Sequence, residues 1–179
     1  MKKIIVMVGK PCCGKSAIGK TIARRLNIPY ISSGDIARNM GEDVRKELNN
    51  GNFAPEDKMR EEIFNAISNV DGDALILDGF PRTKDQLNII NEWCNSLGYT
   101  HYYVHIYASF RQVISRSTIR HRDDDNAFGK RIELYYENTH NMIKELMSGS
   151  NYVVIDNDFS FDVALDDAYN TISRYLKEN

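Results

Sequence analysis

The run Gly9-Lys10-Pro11-Cys12-Cys13-Gly14-Lys15-Ser16 satisfies G-x-x-x-x-G-K-[ST] at every fixed position. It follows the apolar, β-branched run Lys3 to Val8 and precedes a helical pattern from Lys15 to Leu26. This order has a physical purpose. A strand delivers the chain to a turn whose glycines let backbone N–H groups converge on phosphate oxygens, and the next helix points its positive end at the same place. Lys15 adds a point charge between β- and γ-phosphates, and the Ser16 hydroxyl is a candidate Mg²⁺ ligand. A chance match to a glycine-containing turn is the plain alternative, but the flanking strand and helix patterns argue against it. The loop predicts nucleoside triphosphate binding and leaves the reaction open. Cys12 and Cys13 lie by a helix N-terminus and Lys15, a setting that favours thiolates; small side chains that simply fit the turn are the plainer reading, and redox control of nucleotide binding is the alternative.

Three further clusters carry charge suited to phosphate chemistry. Asp78 ends the apolar run Ala74 to Leu77, at the carboxyl edge where open α/β sheets bind ligands. There it can hold Mg²⁺ through water, and Arg82 follows in the turn Gly79-Phe80-Pro81. Thr83 and Gln86 also form a capping box, which competes with any recognition role for Gln86. Ser32-Ser33-Gly34-Asp35 reads as a helix start with Arg38 one turn in; taken alone, it is an N-cap beside a solvated arginine. Arg116, Arg120 and Arg122 precede Asp123-Asp124-Asp125, and Arg131 follows. A surface helix paired with an acidic loop would explain them. Phosphoryl transfer offers a second explanation, since it needs several cations on the transferred group and a lid that excludes water.

The elements that must position these groups alternate. Apolar runs at Lys3 to Val8, Pro29 to Ile31, Ala74 to Leu77, Tyr102 to Tyr107 and Tyr152 to Ile155 are separated by segments with apolar residues three or four apart. Such alternation predicts an α/β domain with a mainly parallel sheet wrapped by helices, and the four longer runs read as strands buried on both faces. Ile132, Tyr135, Tyr136, Thr139, Ile143 and Leu146 read as one helix face. With 179 residues, one domain is expected over 1–179. The net charge of −2 argues against a polybasic nucleic-acid or membrane surface. No apolar run is long enough to span a bilayer. Three cysteines give no disulfide framework and fit a reducing compartment, so a cytoplasmic protein is expected. His101, His105, His121 and His140 have no ligand spacing with Cys94, so structural zinc is not expected.

Taken in order over nearly the whole chain, these segments resemble adenylate kinases, which convert ATP and AMP into two ADP. The resemblance rests on the phosphate loop, Ile31 to Asp35 with Arg38, Leu77 to Thr83 with Gln86, Arg116 with Arg120, and Arg122 to Arg131 followed by Leu134-Tyr135-Tyr136. It implies the P-loop nucleoside monophosphate kinase fold, a five-stranded parallel sheet flanked by helices, with a monophosphate-binding flap over 32–54 and a short lid over 119–129. It further implies that Gly9 to Ser16, with Ala17, hold ATP phosphates, and that Arg116 and Arg120 lie on the ATP side. Ser33, Arg38, Gly79 and Arg82 would hold AMP, with Gln86 reading the adenine edge and the backbone of Asn52, Phe53 and Ala54 walling the base. Arg122 and Arg131 would reach both phosphate chains, and Asp124 and Asp125 would help the lid close. Lys15, Arg82, Arg120, Arg122 and Arg131 are then the catalytic cations, with Mg²⁺ on Ser16 and, through water, on Asp78. A monomer acting on nucleotides, with no nucleic-acid or membrane partner, is expected. Ser16-Ala17 stand where the family usually has Gly-Thr. Two alternatives stay open: the same fold acting on CMP, UMP or a deoxynucleotide, and an adenine-nucleotide sensor without turnover.

Overall fold

A computed structural model describes residues 2–119 and 127–178. Five parallel strands, β1 (Lys3–Val8), β2 (Tyr30–Ser32), β3 (Ala74–Asp78), β4 (Thr100–Tyr107) and β5 (Tyr152–Asp156), form one sheet in the order β2-β3-β1-β4-β5. Strand β1 is central. It pairs with β3 from Lys3↔Ala74 to Met7↔Asp78 and with β4 from Lys3↔Thr100 to Val8↔His105. The chain winds first to one side of β1 and then to the other, and this reversal opens a crevice at the carboxyl ends of β1 and β3.

Alternate β1 residues face opposite layers, as a period of two requires. Ile4, Val6 and Val8 join one core with Ile63, Ile67, Leu87, Ile90 and Met142. Ile5 and Met7 join the other with Ile18, Ile22, Leu165, Ala168 and Ile172. The helices supplying the first layer include α4 (Glu56–Ser68), α5 (Lys84–Ser96) and α8 (His140–Leu146). Those supplying the second include α1 (Lys15–Leu26) and α9 (Phe161–Lys177). Fully burying an isoleucine stabilises by about 1.5–3 kcal/mol, so the wholly covered Ile18 and Ile22 fasten α1 to the sheet. Arg24 and Arg25 complement the carboxyl end of α1, and Asn27 closes it in a left-handed conformation.

Two expectations need correction. Strand β5 lies at the sheet edge with Val154 exposed, so it is not buried on both faces. The apolar pattern from Ile132 to Leu146 is not one α-helix: α7 (Phe128–Leu134) and α8 are joined by a π-helical turn, Tyr135–Thr139. That extra residue in the turn keeps both Tyr135 and Thr139 buried. After α2 (Ser33–Asn39) comes a further helix, α3 (Glu42–Asn49), which is mostly polar and buries only Val44. Helix α6 (Phe110–Ile119) carries Arg116. Arg120, Arg122, Asp124 and Asp125 lie outside the described residues.

Candidate active site

The phosphate loop leaves β1 and enters α1 through Gly14, whose φ is +96°. A Cβ at Gly14 would sit 2.4 Å from Asn157 Nδ2, so both the turn and the close approach demand glycine. No acidic residue stands in the first turn of α1, which leaves its N-terminal N–H groups to an anion. The loop is held from beneath. Asn157, 1% exposed, donates from Nδ2 to Cys13 O at 2.8 Å. Arg116 donates to Asn157 O at 2.6 Å and to Cys13 O at 3.3 Å.

Lys15 and Asp78 face each other at 3.9 Å, with Asp78 almost wholly buried. Asp78 Oδ2 accepts the hydroxyls of Ser16 and Tyr30, each at 2.5 Å. Its Oδ1 is buried, lies 3.9 Å from the Lys15 ammonium and receives no hydrogen bond from the described residues. A carboxylate oxygen without a hydrogen bond beside a serine hydroxyl is a hard-oxygen donor set, and it fits Mg²⁺ held by one carboxylate together with substrate phosphates.

Arg82 follows Gly79, at φ +83°, where a Cβ would fall 2.5 Å from Ser33 Oγ and 3.1 Å from the Arg82 guanidinium. The glycine therefore makes room for an arginine aimed across β3. Arg82 Nε donates to Gly79 O at 2.6 Å and Nη2 to Ser33 Oγ at 3.4 Å, and its guanidinium lies 5.4 Å from the Phe53 ring centroid. Thr139, in the π-helical turn, donates to Arg82 O at 2.9 Å. Arg38 pairs with Asp35 at 2.5 Å.

One cleft of about 690 Å³ gathers Lys15, Ser16, Asp78 and Arg116 with Ser33, Arg38, Phe53, Gly79, Arg82 and Arg131. Gly9, Pro11, Cys12, Cys13, Gly14, Ala17 and Asn52 also line it. Three anticipated residues are placed elsewhere. The Lys10 ammonium turns away, donating to Ala108 O at 3.0 Å and lying over the Tyr107 ring. Ala54 packs against the core. Gln86 is buried outside the cleft lining, and its Oε1 accepts the Arg82 N–H at 2.8 Å, while Thr83 Oγ1 caps the Gln86 N–H at 3.2 Å. In this conformation the capping role has taken the carboxamide oxygen.

The expected thiolate at Cys13 is also corrected. Its side chain is completely buried, and that burial raises the thiol above its ordinary value despite the opposing pull of Lys15. Native protein treated with iodoacetamide at pH 8 is expected to label Cys13 at least tenfold more slowly than urea-unfolded protein. Peptide mass spectrometry measures the rate, and equal rates would contradict the burial.

Sequence reasoning missed Tyr30, Asn157 and Thr139. Each acts through contacts with residues far away in the sequence, and none belongs to a spaced motif.

The model of the family described as adenylate kinase matches residues 7–150. An adenylate kinase of Thermosipho africanus is 26% identical over 212 aligned positions, covering 95% of this chain and 99% of that relative. One from Nitratiruptor sp. is 29% identical across 76% of this chain and 78% of the relative. Adenylate kinase 1 of Synechocystis sp. is 29% identical across 78% and 80%. With that match spanning most of the sequence, and with the loop, Asp78 and Arg82 meeting in one crevice, the chain belongs to the adenylate kinase family.

Proposed function

We propose that this protein catalyses reversible, Mg²⁺-dependent transfer of the γ-phosphoryl group of ATP to AMP, giving two ADP. The observation that supports this best is the meeting of Lys15, Arg38, Arg82, Arg116 and Arg131, from five separate elements or loops, on a single cleft. A binding site for one triphosphate does not call for cations at both ends of the crevice; transfer between two phosphate chains does.

In this reading the loop backbone and Lys15 hold the β- and γ-phosphates, and Arg116 steadies the loop while facing the ATP side. Ser33, Arg38 and Arg82 take the AMP phosphate, and Arg131 reaches the region between the chains. The acceptor oxygen of AMP is already anionic at neutral pH, so no general base is needed. The protein's work is alignment and charge neutralisation. Mg²⁺, with Ser16 as ligand and Asp78 acting through water, would supply charge across the β- and γ-phosphoryl oxygens. Arg120 and Arg122 are assigned to the same phosphates, and Asp124 and Asp125 to lid closure, by family resemblance.

Segments 32–54 and 119–129 are proposed to close over the substrates and exclude water. Close packing at Gly51 supports this: a Cβ there would lie 2.9 Å from Lys130 Cβ and 3.0 Å from Ala127 Cβ, so the two segments meet beside the cleft. We further propose a monomer working in the cytoplasm. Three cysteines without a disulfide, and the lack of any helix among the described residues long and apolar enough to cross a membrane, are compatible with it.

Purified protein with ATP and a panel of monophosphates tests the acceptor. AMP is expected to exceed CMP and UMP by at least tenfold in kcat/KM. Another nucleoside monophosphate is the second reading, supported by the engagement of Gln86 Oε1 with the Arg82 N–H. A CMP or UMP rate equal to that with AMP would favour it.

A further inference from the structure

Tyr30 belongs to no motif in the phosphate-binding apparatus, yet its hydroxyl reaches the carboxylate at the centre of it. Strand β2 pairs with β3 so that Tyr30 lies opposite Ile76, two residues before the row Ser32↔Asp78. The phenol ring runs forward along the sheet from there to Asp78. It is seated against α1, where a Cβ on Gly19 would stand 3.0 Å from Tyr30 Cε2, and the Lys20 ammonium lies 5.5 Å from its centroid. Helix α1 therefore presents glycine where the ring must pass. At the end of that path the phenol donates to Asp78 Oδ2 at 2.5 Å.

The other hydroxyl on Oδ2 comes from Ser16, at the same distance. Ser16 is the proposed direct metal ligand, so its oxygen has a second duty once the nucleotide arrives. Tyr30 has none. With Oδ2 tied back by a donor outside the cleft, Asp78 leaves Oδ1 buried, 3.9 Å from the Lys15 ammonium and without a hydrogen bond from the described residues.

We propose that Tyr30 is a positioning residue for the metal: its hydroxyl fixes the rotation of the Asp78 carboxylate so that Oδ1 meets a water of Mg²⁺. Partners that orient a ligating carboxylate are worth about 10–100-fold in metal affinity. The inference rests on the Mg²⁺ reading above.

The test uses a bisubstrate mimic in which two adenosines are joined through five phosphates, with Mn²⁺ as a paramagnetic stand-in for Mg²⁺. Loss of the free-ion signal in electron paramagnetic resonance gives the Mn²⁺ affinity of the protein–mimic complex without any turnover. Tyr30→Phe keeps the ring and removes only the hydroxyl. It is expected to weaken Mn²⁺ binding about tenfold, while calorimetric affinity for the mimic in EDTA stays within twofold of wild type. In an Asp78→Asn background, Tyr30→Phe is expected to add less than a twofold loss. A Mn²⁺ affinity within twofold of wild type would overturn the proposal. So would an equal fall in EDTA, which marks a purely packing role, or a full additional loss beside Asp78→Asn. Should the wild-type complex itself hold Mn²⁺ no better than the mimic alone, the metal reading fails instead, and the two failures are told apart by that control.

Discussion

Lys15→Ala is expected to lower kcat by about 10³-fold or more, the scale on which a principal phosphate-stabilising cation contributes. A factor of 10³ corresponds to about 4 kcal/mol. That magnitude separates the catalytic account from a structural one. Among the described residues Lys15 makes one ion pair within 4 Å, with Asp78 at 3.9 Å. Asp78 is almost wholly buried, so taking away its ammonium neighbour leaves a buried carboxylate uncompensated, which costs up to about 3–5 kcal/mol of stability. If Lys15 served only to balance Asp78, its removal would lower the melting temperature and leave the turnover of folded protein within a factor of ten. The expected outcome is a large fall in kcat of protein that is still folded at the assay temperature. Steady-state rates with ATP and AMP beside a thermal melt check it, and a kcat loss below tenfold would contradict the assignment.

Arg82→Ala is expected to reduce kcat/KM by a similar factor of about 10³, expressed through AMP rather than ATP. The guanidinium is held by the protein's own groups, by Gly79 O, by Ser33 Oγ and against the Phe53 ring. Such preorganisation spares the cost of ordering a long side chain during reaction. Arg82→Lys keeps the charge but loses the planar fork and the Nε–H to Gly79 O, so it should recover only part of the activity. The KM for ATP is expected to stay within about threefold in both variants. Equal rises in the KM of ATP and AMP would place Arg82 outside the AMP end of the cleft. A loss below tenfold in kcat/KM would remove it from the machinery.

Much of this site is legible in the sequence, and the reason is local geometry. A loop that cradles phosphate must present glycine, lysine and a hydroxyl at fixed offsets between a strand and a helix, so Gly9 to Ser16 announce themselves. Asp78 and Arg82 are legible for a related reason, since the carboxyl end of a buried strand is where an open sheet receives ligands. The β2-β3-β1-β4-β5 order places them beside the loop.

What escaped depends on contacts between residues far apart in the chain. Tyr30 meets Asp78 across a separation of 48 residues, and Asn157 meets Cys13 across 144. No spacing rule marks either pair. The π-helical turn that brings Thr139 under Arg82 is one added residue in a helix, which a period of 3.6 averages away. Cys13 misled for the converse reason. Its neighbours in sequence favour a thiolate, but complete burial, visible only in the fold, outweighs them. Gln86 shows two readings of one amide, and in the folded chain the cap on Arg82 N–H holds its oxygen.

The central claim is that cations from distant elements grip two phosphate chains at once. Calorimetric titration with the five-phosphate bis-adenosine mimic tests it most directly. The account predicts one molecule bound per chain with a micromolar or tighter Kd, exclusion of both ATP and AMP, and a loss of affinity of at least tenfold in both Lys15→Ala and Arg82→Ala. Absence of binding at micromolar concentration, or two mimic molecules bound per chain with either variant unaffected, would contradict it.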